Sequence, residues 1–599
     1  MRFLVTTLII FLSTSITLSQ EIRSYYLNWK VLEDKELNIR KLTFDNISCY
    51  GNVGNECYFS VTMKGEVLRC KILNDSYEPL SKEELSLINK DLVKPELGVE
   101  IFNRTSRKTT ISSIQIYPVV FKNGVYQKLV SFDLDLDYVV NNFSRRTSKR
   151  SYANNSVLKN GDWFKFGIVQ SGIYKISHDQ LNSLGVNLVN VSPNRIQIYG
   201  NGGGKLPYAN WEPRKDDLVP CNISLVGVED GSFDSGDYIL FYGKGQGNWE
   251  YKDGSYVYNA NPFADTTYYF LNLNNSEGGR VSSIEQPDLT FLESENCDVF
   301  DFYELNRVNF IKSGIRWFGE EFDVTSSRSF NFSLENLDFN YPVLCRAKVA
   351  AASVGNSSSF TLGVGSGSVN SNISPVSGFY ASSFANETLL ELNTSVSQNS
   401  FDVNLTFTKG NASSKGWLDY IEIIGRGQIR KGENQLMFKD ASVIGQGNTV
   451  NYFVKDGNSK CRIWNVADHQ NVALIDYSVN SSGISFKAYA DSLVEYVVFE
   501  DDDAFIPRFV ERLANQDLHD KAKLFPDYIV VTHPDFLIQA EEIASFHQEV
   551  DGYSTFVATT EQIYNEFSSG AQDITAIKDF LKMFYDQAGK DRKSTRLNS

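Results

Sequence analysis

Asp527-Tyr-Ile-Val-Val-Thr532 is a continuous apolar run, and His533-Pro-Asp-Phe536 follows it directly. A short apolar run bounded by turn residues is typical of a strand that is buried on both faces, as in a parallel sheet. Leu537–Glu549 is predicted to be a helix, and Ser554–Thr559 has the pattern of a second buried strand. Strand, helix and strand in this order predict the opening of a parallel α/β domain.

Two more helices are predicted after the second strand. Thr560 and Glu561 begin the helix Gln562–Phe567, and Asp573 can cap a helix over Ile574–Tyr585. Parallel sheets usually contain about four to six strands, whereas this segment supplies only two. We therefore predict the start of an α/β domain over residues 525–589, truncated rather than complete.

Upstream of this segment the pattern is that of β-structure. Apolar and polar residues alternate in Thr110–Tyr117, Leu129–Tyr138, Arg328–Leu334 and Phe401–Phe407, which is the period of half-buried strands. Gly, Ser and Asn turns separate such stretches, and aromatic residues make up 13% of the chain, a composition that favours strands. The predicted fold class is mainly β, with sandwich-like or jelly-roll-like domains in front of the α/β segment.

Changes in composition divide the chain into predicted segments. They are a signal peptide (1–19), an N-terminal β domain (20–140), a linker (141–156), a second β domain (157–290), a β-sandwich domain (291–500), the start of the α/β domain (525–589) and a tail (590–599). In the second β domain, Gly161–Val169 and Gly172–Ile176 are predicted to pair as a hairpin. The linker is polar and basic, so a solvated connection is favoured over a processing site. The tail resembles translated adapter DNA, the alternative being a disordered terminus.

The charge balance and the N-terminus narrow the classes of function. The 599 residues include 57 Lys and Arg against 73 Asp and Glu, which gives a net charge of −16. Nucleic-acid-binding proteins usually have a basic excess, so this balance argues against nucleic-acid binding. Arg2, the apolar run Leu4–Leu12 and small residues up to Ser19 predict a secretory signal peptide cleaved after Ser19. The alternative is a buried N-terminal strand. No later apolar stretch is long enough to span a bilayer, so we expect a secreted protein that is soluble or peripherally held.

The seven cysteines show neither zinc-binding nor redox spacing. Cys49, Cys57 and Cys70 are close enough in sequence to form a local bridge in an oxidising compartment. Most of the cysteines are expected to be simple buried residues, and none lies in a context that marks a nucleophile. The remaining four are Cys221, Cys297, Cys345 and Cys461.

Two glycine-rich stretches could bind ligands but are better explained as turns. Gly200-Asn-Gly-Gly-Gly-Lys-Leu206 lacks the Ser or Thr that follows Lys in a phosphate-binding loop, so we predict a tight turn between strands. Asp230-Gly-Ser-Phe-Asp-Ser-Gly-Asp237 groups three carboxylates, but their spacing is not that of an EF-hand loop. A turn is favoured there, with calcium as the alternative, and no other cofactor is predicted.

The histidines do not complete a catalytic constellation. They are His178, His469, His519, His533 and His547. A cysteine–histidine peptidase needs an imidazole beside a thiolate, and all seven cysteines precede residue 462. His533 lies at the carboxyl end of a predicted strand, where α/β folds bind ligands, but the neighbouring Pro534 favours a structural turn. G-x-S-x-G and H-E-x-x-H do not occur, so we predict no catalytic, cofactor-binding or metal-binding residue in this chain.

A series of longer motifs occurs in a characteristic order. They are Asp162–Val169 with Ser171–Ile176, Ile198–Gly204, Arg214–Leu218, Asp230–Gly243, Ile463–Asp468, Asp527–Phe536 and Thr560–Asp573. Together they resemble the type IX secretion sortases of the gingipain family of cysteine peptidases. The resemblance covers about residues 20–589, and the last two motifs are the most specific.

The resemblance implies an endopeptidase and transpeptidase that removes C-terminal sorting domains from exported cargo. In this family a cysteine thiolate attacks the scissile peptide with help from a histidine, and water or an amine of surface lipopolysaccharide resolves the acyl-enzyme. The implied partners are the exported cargo, an outer-membrane β-barrel shuttle protein and anionic lipopolysaccharide as acceptor, with no nucleic acid. The implied location is the outer membrane or cell surface, where the protein is held peripherally.

The catalytic residues of the family are not carried over to this chain. In the family the His and Cys come later than the segment that matches Ala571–Leu581, so the resemblance implies an N-terminal portion that is inactive by itself. Two alternatives are a secreted β-sandwich adhesion or glycan-binding protein without catalysis, and a structural subunit of the secretion machinery with a degenerate peptidase domain. The α/β segment favours the sortase over the adhesin, because an adhesin has no need of it.

Overall fold

The chain divides into two compact units. Its computed structural model describes residues 18–588 apart from residues 35–38, 46–57, 65, 89, 91–92, 107–108, 140–149, 275–278, 313 and 378–382. One unit holds residues up to 148 with 377–383, and the other holds 149–376 and the residues from 384 onward. The predicted signal peptide up to residue 17, the linker residues 141–149 and the predicted tail lie outside the described residues.

The first unit is built from antiparallel sheets around the long strand β9. β9 pairs with β1, β5 and β8, while β2 pairs with β3, and β7 lies between β4 and β6. Ser19 lies within β1, opposite Tyr138 of β9. The elements are β1 (Leu18–Tyr26), β2 (Asn28–Asp34), β3 (Ile39–Asp45), β4 (Phe59–Lys64), β5 (Glu66–Pro79), α1 (Lys82–Leu85), β6 (Gly98–Ser106), β7 (Thr109–Tyr117), β8 (Val119–Lys122) and β9 (Val125–Val139).

The second unit begins with a small β-sandwich. Its elements are β10 (Trp163–Ile168), β11 (Gly172–Ser177), α2 (His178–Ser183), β12 (Gln197–Tyr199), β13 (Pro220–Cys221), β14 (Ile223–Val226), β15 (Tyr238–Gly243), β16 (Asn248–Lys252), β17 (Ser255–Asn259) and β18 (Thr267–Asn272). One sheet contains β13, β12, β18 and β10, and a second contains β11, β15 and β14.

The predicted hairpin between Gly161–Val169 and Gly172–Ile176 is wrong. β10 pairs with β18 and with a strand over Arg508–Leu513, whereas β11 pairs with β15. Every residue of β10 is buried, and both strands contribute to one core through Ile168 and Ile176. Strands that are apolar on both faces need a neighbour above as well as beside them, so β10 and β11 lie in facing sheets.

Residues 292–499 form two further pairs of sheets with separate hydrophobic cores. The first pair consists of β20-β28-β23-β26, with β21 beside β28, and β22-β27-β24-β25; the second consists of β19-β30-β34-β33 and β29-β35-β31-β32. The strands are β19 (Leu292–Ser294), β20 (Asn296–Glu304), β21 (Glu321–Phe322), β22 (Ser327–Ser333), β23 (Val343–Ala352), β24 (Ser358–Val364), β25 (Gly367–Ile373), β26 (Asn386–Thr394), β27 (Ser400–Thr408), β28 (Lys415–Gln428), β29 (Leu436–Lys439), β30 (Thr449–Lys455), β31 (Arg462–Asn465), β32 (Ala473–Ile475), β33 (Ser478–Asn480), β34 (Gly483–Tyr489) and β35 (Glu495–Phe499). The next strand, β36 (Arg508–Leu513), returns to the small sandwich and pairs with β10. The sandwich-rich fold class expected from the sequence is confirmed.

The C-terminal part has the predicted α/β order. Its elements are α3 (Leu518–Lys521), β37 (Tyr528–Thr532), α4 (Leu537–Val550), β38 (Thr555–Thr559), α5 (Thr560–Phe567) and α6 (Ile574–Gln587). β37 and β38 pair in parallel, and Asp573 caps α6 by accepting a hydrogen bond from the Thr575 amide at 2.7 Å. Short 3-10 turns lie at Val157–Lys159, Pro193–Arg195, Val228–Asp230, Ala441–Val443, Asp501–Asp503, Ala522–Leu524 and Pro534–Phe536. No helix in the described part of the chain is long and apolar enough to cross a membrane.

The core of the first 292–499 sandwich depends on packed aromatic rings, which makes its stability sensitive to truncation. Phe360 is fully buried, and its ring lies 5.1 Å from that of Phe322 and 4.8 Å from that of Phe407. Replacing Phe360 by Ala should lower the free energy of unfolding of this sandwich by about 3–5 kcal/mol, because it removes buried area and leaves a cavity. Denaturant unfolding measures the loss, and Val324→Ala, at a side chain that is 98% exposed, is the matched control. Equal midpoints for the two variants would contradict this packing.

Candidate functional site

The carboxyl edge of the β37–β38 pair is the first candidate site. The strands are in register from Tyr528 opposite Thr555 to Thr532 opposite Thr559, so both end at the same edge. Open parallel sheets bind ligands beyond this edge. The segment from residue 517 to residue 588, called the α/β segment below, therefore presents an edge of the kind that α/β enzymes use.

The side chains now at this edge act as caps. His533 is exposed and its Nδ1 accepts a hydrogen bond from the Asp535 amide at 3.3 Å, which caps the turn Pro534–Phe536. Thr559 and Gln562 form a reciprocal capping box at the start of α5. The turn predicted at His533 and Pro534 is present, and no cysteine lies at this edge among the described residues.

The cysteine thiols that the structure describes are poor nucleophiles. Cys70, Cys221, Cys297, Cys345 and Cys461 are free, and all except Cys70 are buried. Burial raises the pKa of Cys70 to about 11 and the pKa of Cys221, Cys297 and Cys345 to about 12. These groups therefore remain thiols at neutral pH, whereas a catalytic cysteine reacts as a thiolate. Because Cys70 is free, it takes no part in the predicted local bridge, and Cys49 and Cys57 lie outside the described residues.

The tight turn between strands predicted for Gly200–Leu206 is wrong: the stretch opens the long loop between β12 and β13. Its backbone binds the α/β segment. The Asn201 amide donates to Ser569 Oγ at 3.1 Å, and the Leu206 amide donates to Asp573 Oδ2 at 2.8 Å. A Cβ at Gly203 would lie 2.1 Å from the carbonyl oxygen of Gly245, so close approach of two backbones requires glycine there. These amides are satisfied by protein side chains, which removes the basis for a phosphate site.

The acidic stretch Asp230–Asp237 is a turn that binds its own backbone. Asp230 Oδ1 accepts from the Ser232 amide at 2.9 Å, and Asp237 Oδ2 accepts from the Asp234 amide at 2.8 Å. Gly231 and Gly236 have φ values of 88° and 101°, which favour glycine. Within the described ranges, no group of three or more His, Cys, Asp or Glu residues is placed to hold a metal ion.

A buried ion pair joins the α/β segment to the β-sandwich in front of it. Arg214 Nη1 lies 2.9 and 2.7 Å from the two carboxylate oxygens of Asp579 on α6, and both side chains are 2% exposed. Arg214 also donates to the carbonyl of Ala209, and Arg150 Nη1 lies 3.5 Å from Asp579. Residues 200–217, called the docking loop below, thus supply the cation for a carboxylate that has no access to water.

His519 forms a second buried polar contact across the same interface. Its Nδ1 lies 2.7 Å from Glu566 Oε2 on α5, and its Nε2 lies 3.2 Å from Asp216 Oδ2 of the docking loop. Burial alone would lower the pKa of His519, but the hydrogen bonds and charges of Asp216 and Glu566 outweigh it and raise the pKa to about 10. The imidazole is therefore a cation held between two carboxylates, and both of its nitrogens donate.

Lys165 of β10 extends the contact toward the start of α6. Its Nζ donates to Asn565 Oδ1 at 2.9 Å, and both side chains are buried. Gly570, with a φ of 81°, passes so close that a Cβ would lie 2.9 Å from Lys165 Cε. The expected solvated linker also contributes here, because Ser156 is buried and its amide donates to Asp517 Oδ1 at 2.9 Å.

Sequence reasoning did not identify the residues of this interface as partners. Arg214 and Asp216 belong to a motif quoted above, and Asp579 to the segment Ala571–Leu581, but no spacing joins positions more than 300 residues apart. Polar residues at helix positions that face other elements were the only available signal: Asn565, Glu566 and Asp579 are each at most 2% exposed. Of the remaining histidines, His178 and His547 pair with the neighbouring acids Asp179 and Asp551, and His469 Nε2 lies 3.0 Å from the Asn201 carbonyl.

Comparison with known proteins supports the resemblance seen in the motifs. Residues 522–598 match the model that describes peptidase family C25, and no curated protein matches the chain. The crystal structure of dimeric latent PorU from Porphyromonas gingivalis is similar with a TM-score of 0.64 and 21% identity, over 74% of this chain and 41% of that one. The match to the structure of infectious bursal disease virus Gx strain covers 90% of each chain, but its TM-score of 0.14 and identity of 8% are too low to indicate a shared fold.

The comparisons confirm the resemblance to the gingipain family, to which family C25 corresponds, and the PorU-like fold. The family match contains the whole of the β37–α6 region and extends to residue 598. The chain spans less than half the length of the PorU structure that it matches.

Removal of the docking-loop cation should loosen the α/β segment. Replacing Arg214 by Met should cost about 3–5 kcal/mol, because Asp579 keeps a buried charge without its main partner. Hydrogen exchange at the amides of α6 measures the loss. The matched control is Arg430→Met, whose ion pair with Asp456 is 44% and 46% exposed and contributes little. Unchanged protection of α6 in Arg214→Met would show that the pair does not hold the segment.

The His519 contact should make docking weaker in alkaline solution. A raised pKa means that the folded state holds a proton which the unfolded chain loses near 6.5, so the stabilisation is complete below that pH and is lost as pH rises toward 10. Protection of the α5 amides against hydrogen exchange should therefore fall between pH 6.5 and 9 in the parent chain. This range lies below the pH at which the buried thiols ionise. His519→Gln should be less protected at pH 6.5 and should lose the pH dependence. A parallel decline in both proteins would contradict the assignment.

Proposed function

We propose that the chain is the N-terminal portion of a type IX secretion sortase. The whole protein would be a cysteine endopeptidase and transpeptidase that removes C-terminal sorting domains from exported cargo and joins the cargo to surface lipopolysaccharide. One observation carries the proposal: the segment that matches peptidase family C25 is also the segment in which parallel strands and helices begin, and it is ion-paired to a PorU-like β framework.

In the proposed enzyme, the β-sandwiches and the α/β segment have different roles. The β-sandwiches support the α/β segment through the docking loop, and the carboxyl edge of β37 and β38 contributes one side of an active-site cleft. The nucleophile and its histidine would come from further strands of the same sheet. Among the described cysteines, Cys221, Cys297 and Cys345 are buried and protonated, which supports the proposal that this portion by itself would be inactive.

Unpaired surfaces on the α/β segment support the idea that more of a parallel sheet packs there. Among the described residues, β37 pairs only with β38. On α4, Ile543, Phe546 and Val550 are 47%, 57% and 64% exposed, while Ala540 and Ala544 cover the strands. Parallel sheets are normally covered on both faces and extend over more than two strands. The stripe on α4 is the type of surface that another strand–helix unit would cover.

The proposed partners follow from the reaction and not from a contact surface. They are cargo proteins with C-terminal sorting domains, lipopolysaccharide as the amine acceptor, and an outer-membrane shuttle protein that would hold the enzyme at the cell surface. The protein would reach this location by means of its N-terminal signal peptide and would remain peripheral. Calcium is left as a possible ligand of the whole protein, and nucleic acid is not a proposed partner.

Activity should depend on sequence that follows the docked segment. Residues 20–588 should not cleave a cargo protein that carries a C-terminal sorting domain. The longer protein, encoded when the reading frame at the genomic locus is continued beyond codon 589, should cleave this cargo. Iodoacetamide should block the cleavage, because it alkylates the catalytic thiolate. Mass spectrometry of the cargo measures the reaction. There are two controls. Cargo without the sorting domain should stay uncut, and the longer protein with Cys221→Ser should remain fully active. Alkylator-sensitive cleavage by residues 20–588, or a continued frame without a later His and Cys, would overturn the proposal.

A further inference from the structure

The sheet β22-β27-β24-β25 has an outer face with an unusual composition. Its inner side chains, such as Phe330, Leu362 and Leu405, are buried in the core of the sandwich. Its outer side chains are all Ser, Thr, Asn or Gly, apart from Asp402. They are Ser327, Ser329, Asn331 and Ser333 on β22, Ser400, Asp402, Asn404, Thr406 and Thr408 on β27, Ser359, Thr361 and Gly363 on β24, and Ser368, Asn370 and Asn372 on β25.

This face, called the polar sheet face below, differs from an ordinary protein surface. Globular domains contain about 25% charged residues, most of them at the surface, and charged residues are 22% of the whole chain. The polar sheet face has a single carboxylate, no cation and no apolar or aromatic side chain. A surface of this composition offers hydrogen bonds without charge.

The strand register arranges these groups in rows. Ser327, Thr406, Thr361 and Asn370 are successive cross-strand neighbours, as are Ser329, Asn404, Gly363 and Ser368. Adjacent strands lie about 4.8 Å apart and outward side chains recur about every 6.8 Å along a strand. The result is a regular array of hydroxyl and amide groups that extends over four strands.

Only part of the hydrogen-bonding capacity of this array is used internally. Ser327 Oγ lies 2.9 Å from Thr406 Oγ1, Asn331 Nδ2 donates to Asp402 Oδ1 at 2.9 Å, and Asn370 Nδ2 donates to Thr361 Oγ1 at 2.8 Å. Each hydroxyl and each amide can make further hydrogen bonds as donor or acceptor. The pairs hold the side chains in place and leave their other lone pairs and protons available.

A cavity of about 360 Å³ opens at the edge of the polar sheet face. It is lined by Tyr303, Glu320, Arg328, Ser329, Phe330 and Asn331, so Ser329 and Asn331 belong to both the face and the cavity. The rings of Tyr303 and Phe330 lie 5.0 Å apart. Tyr303 donates to Glu320 Oε1 at 2.5 Å, while Glu320 Oε2 and Arg328 Nε are buried without a hydrogen-bond partner. The edge of the array thus brings the Tyr303 ring next to the Ser329 hydroxyl and the Asn331 amide.

We propose that the polar sheet face is a binding surface for a neutral polysaccharide, with a sugar unit at its edge seated in the cavity. A polysaccharide presents hydroxyl groups that donate and accept at regular intervals, which matches an uncharged array of Ser, Thr and Asn. In the cavity, the half-buried Tyr303 ring offers apolar surface to a sugar ring, and the exposed Ser329 and Asn331 side chains offer hydrogen bonds to its hydroxyls. This surface is separate from the α/β segment, so the inference does not depend on the proposed peptidase function.

Other classes of macromolecule fit the face less well. Protein interfaces usually depend on Trp, Tyr or Arg anchors at their centre, and the polar sheet face has none. Nucleic acids and anionic membranes require clustered cations, which are also absent among its outer residues. A neutral and hydroxyl-rich ligand is the partner whose chemistry corresponds to what the face presents.

Affinity electrophoresis of the purified chain through native gels that contain dextran, mannan or galactomannan tests the proposal. At least one of these neutral polysaccharides should retard the chain. The triple variant Thr361→Ala, Asn404→Ala, Thr406→Ala should bind that polysaccharide at least about tenfold more weakly, since it loses several hydrogen bonds to the sugar hydroxyls. Ser329→Trp, which fills the mouth of the cavity, should weaken binding as well. All of these side chains point outward, and equal unfolding midpoints check that the variants are folded.

A matched triple variant on another exposed surface separates specific from general effects. Ser478→Ala, Asn480→Ala, Ser481→Ala removes the same kinds of exposed polar groups near β33 and should bind as the parent chain does. No retardation by any of the three neutral polysaccharides would overturn the proposal. Equal loss in both triple variants would overturn it too, and so would retardation only by dextran sulfate, because that result would indicate attraction by charge.

Discussion

The buried polar contact between the docking loop and the α/β segment governs how the rest of the molecule is arranged. Arg214 neutralises Asp579 where neither side chain reaches water, and His519 carries its proton between Asp216 and Glu566. Buried charges are costly unless they are paired in good geometry, so these residues allow very few relative positions of sandwich and segment. A hydrophobic contact of the same area would tolerate sliding, whereas this set of hydrogen bonds does not.

That constraint gives the β-sandwich in front of the segment a mechanical role. Its docking loop contributes backbone amides at Asn201 and Leu206 to the residues just before α6, and Lys165 of β10 donates to Asn565 of α5. The carboxyl edge of β37 and β38 is thereby fixed relative to a rigid support. A cleft that has to hold a peptide in line with a nucleophile benefits from such pre-organisation. In the proposed peptidase, the extensive β framework would serve positioning, and the chemistry would belong to a small part of the sheet edge.

Much of this could be predicted from the sequence, and the failures have specific physical causes. The β37–α6 order was predictable because apolar runs, the capping residue Asp573 and the break at Ser569-Gly570 are local signals. Four of the five described cysteines are buried, as the sequence predicts for most of them. The hairpin at β10 and β11 failed because apolar periodicity does not distinguish strands that pair edge to edge from strands that face each other. His519, Arg214 and Asp579 were missed as partners because a single sequence carries no record of contacts between distant positions, and a buried ion pair has no local pattern.

The position of β36 has a consequence for how the protein is made. This strand pairs with β10, which lies roughly 340 residues earlier in the chain. The sheet that contains β10 therefore gains its last strand only after both sandwiches of residues 292–499 have been synthesised. α3 follows β36 almost immediately, and docking of the α/β segment therefore comes after the sheet is complete. A nascent chain passes through a long period with an open β10 edge, during which pairing with another chain competes with the correct strand.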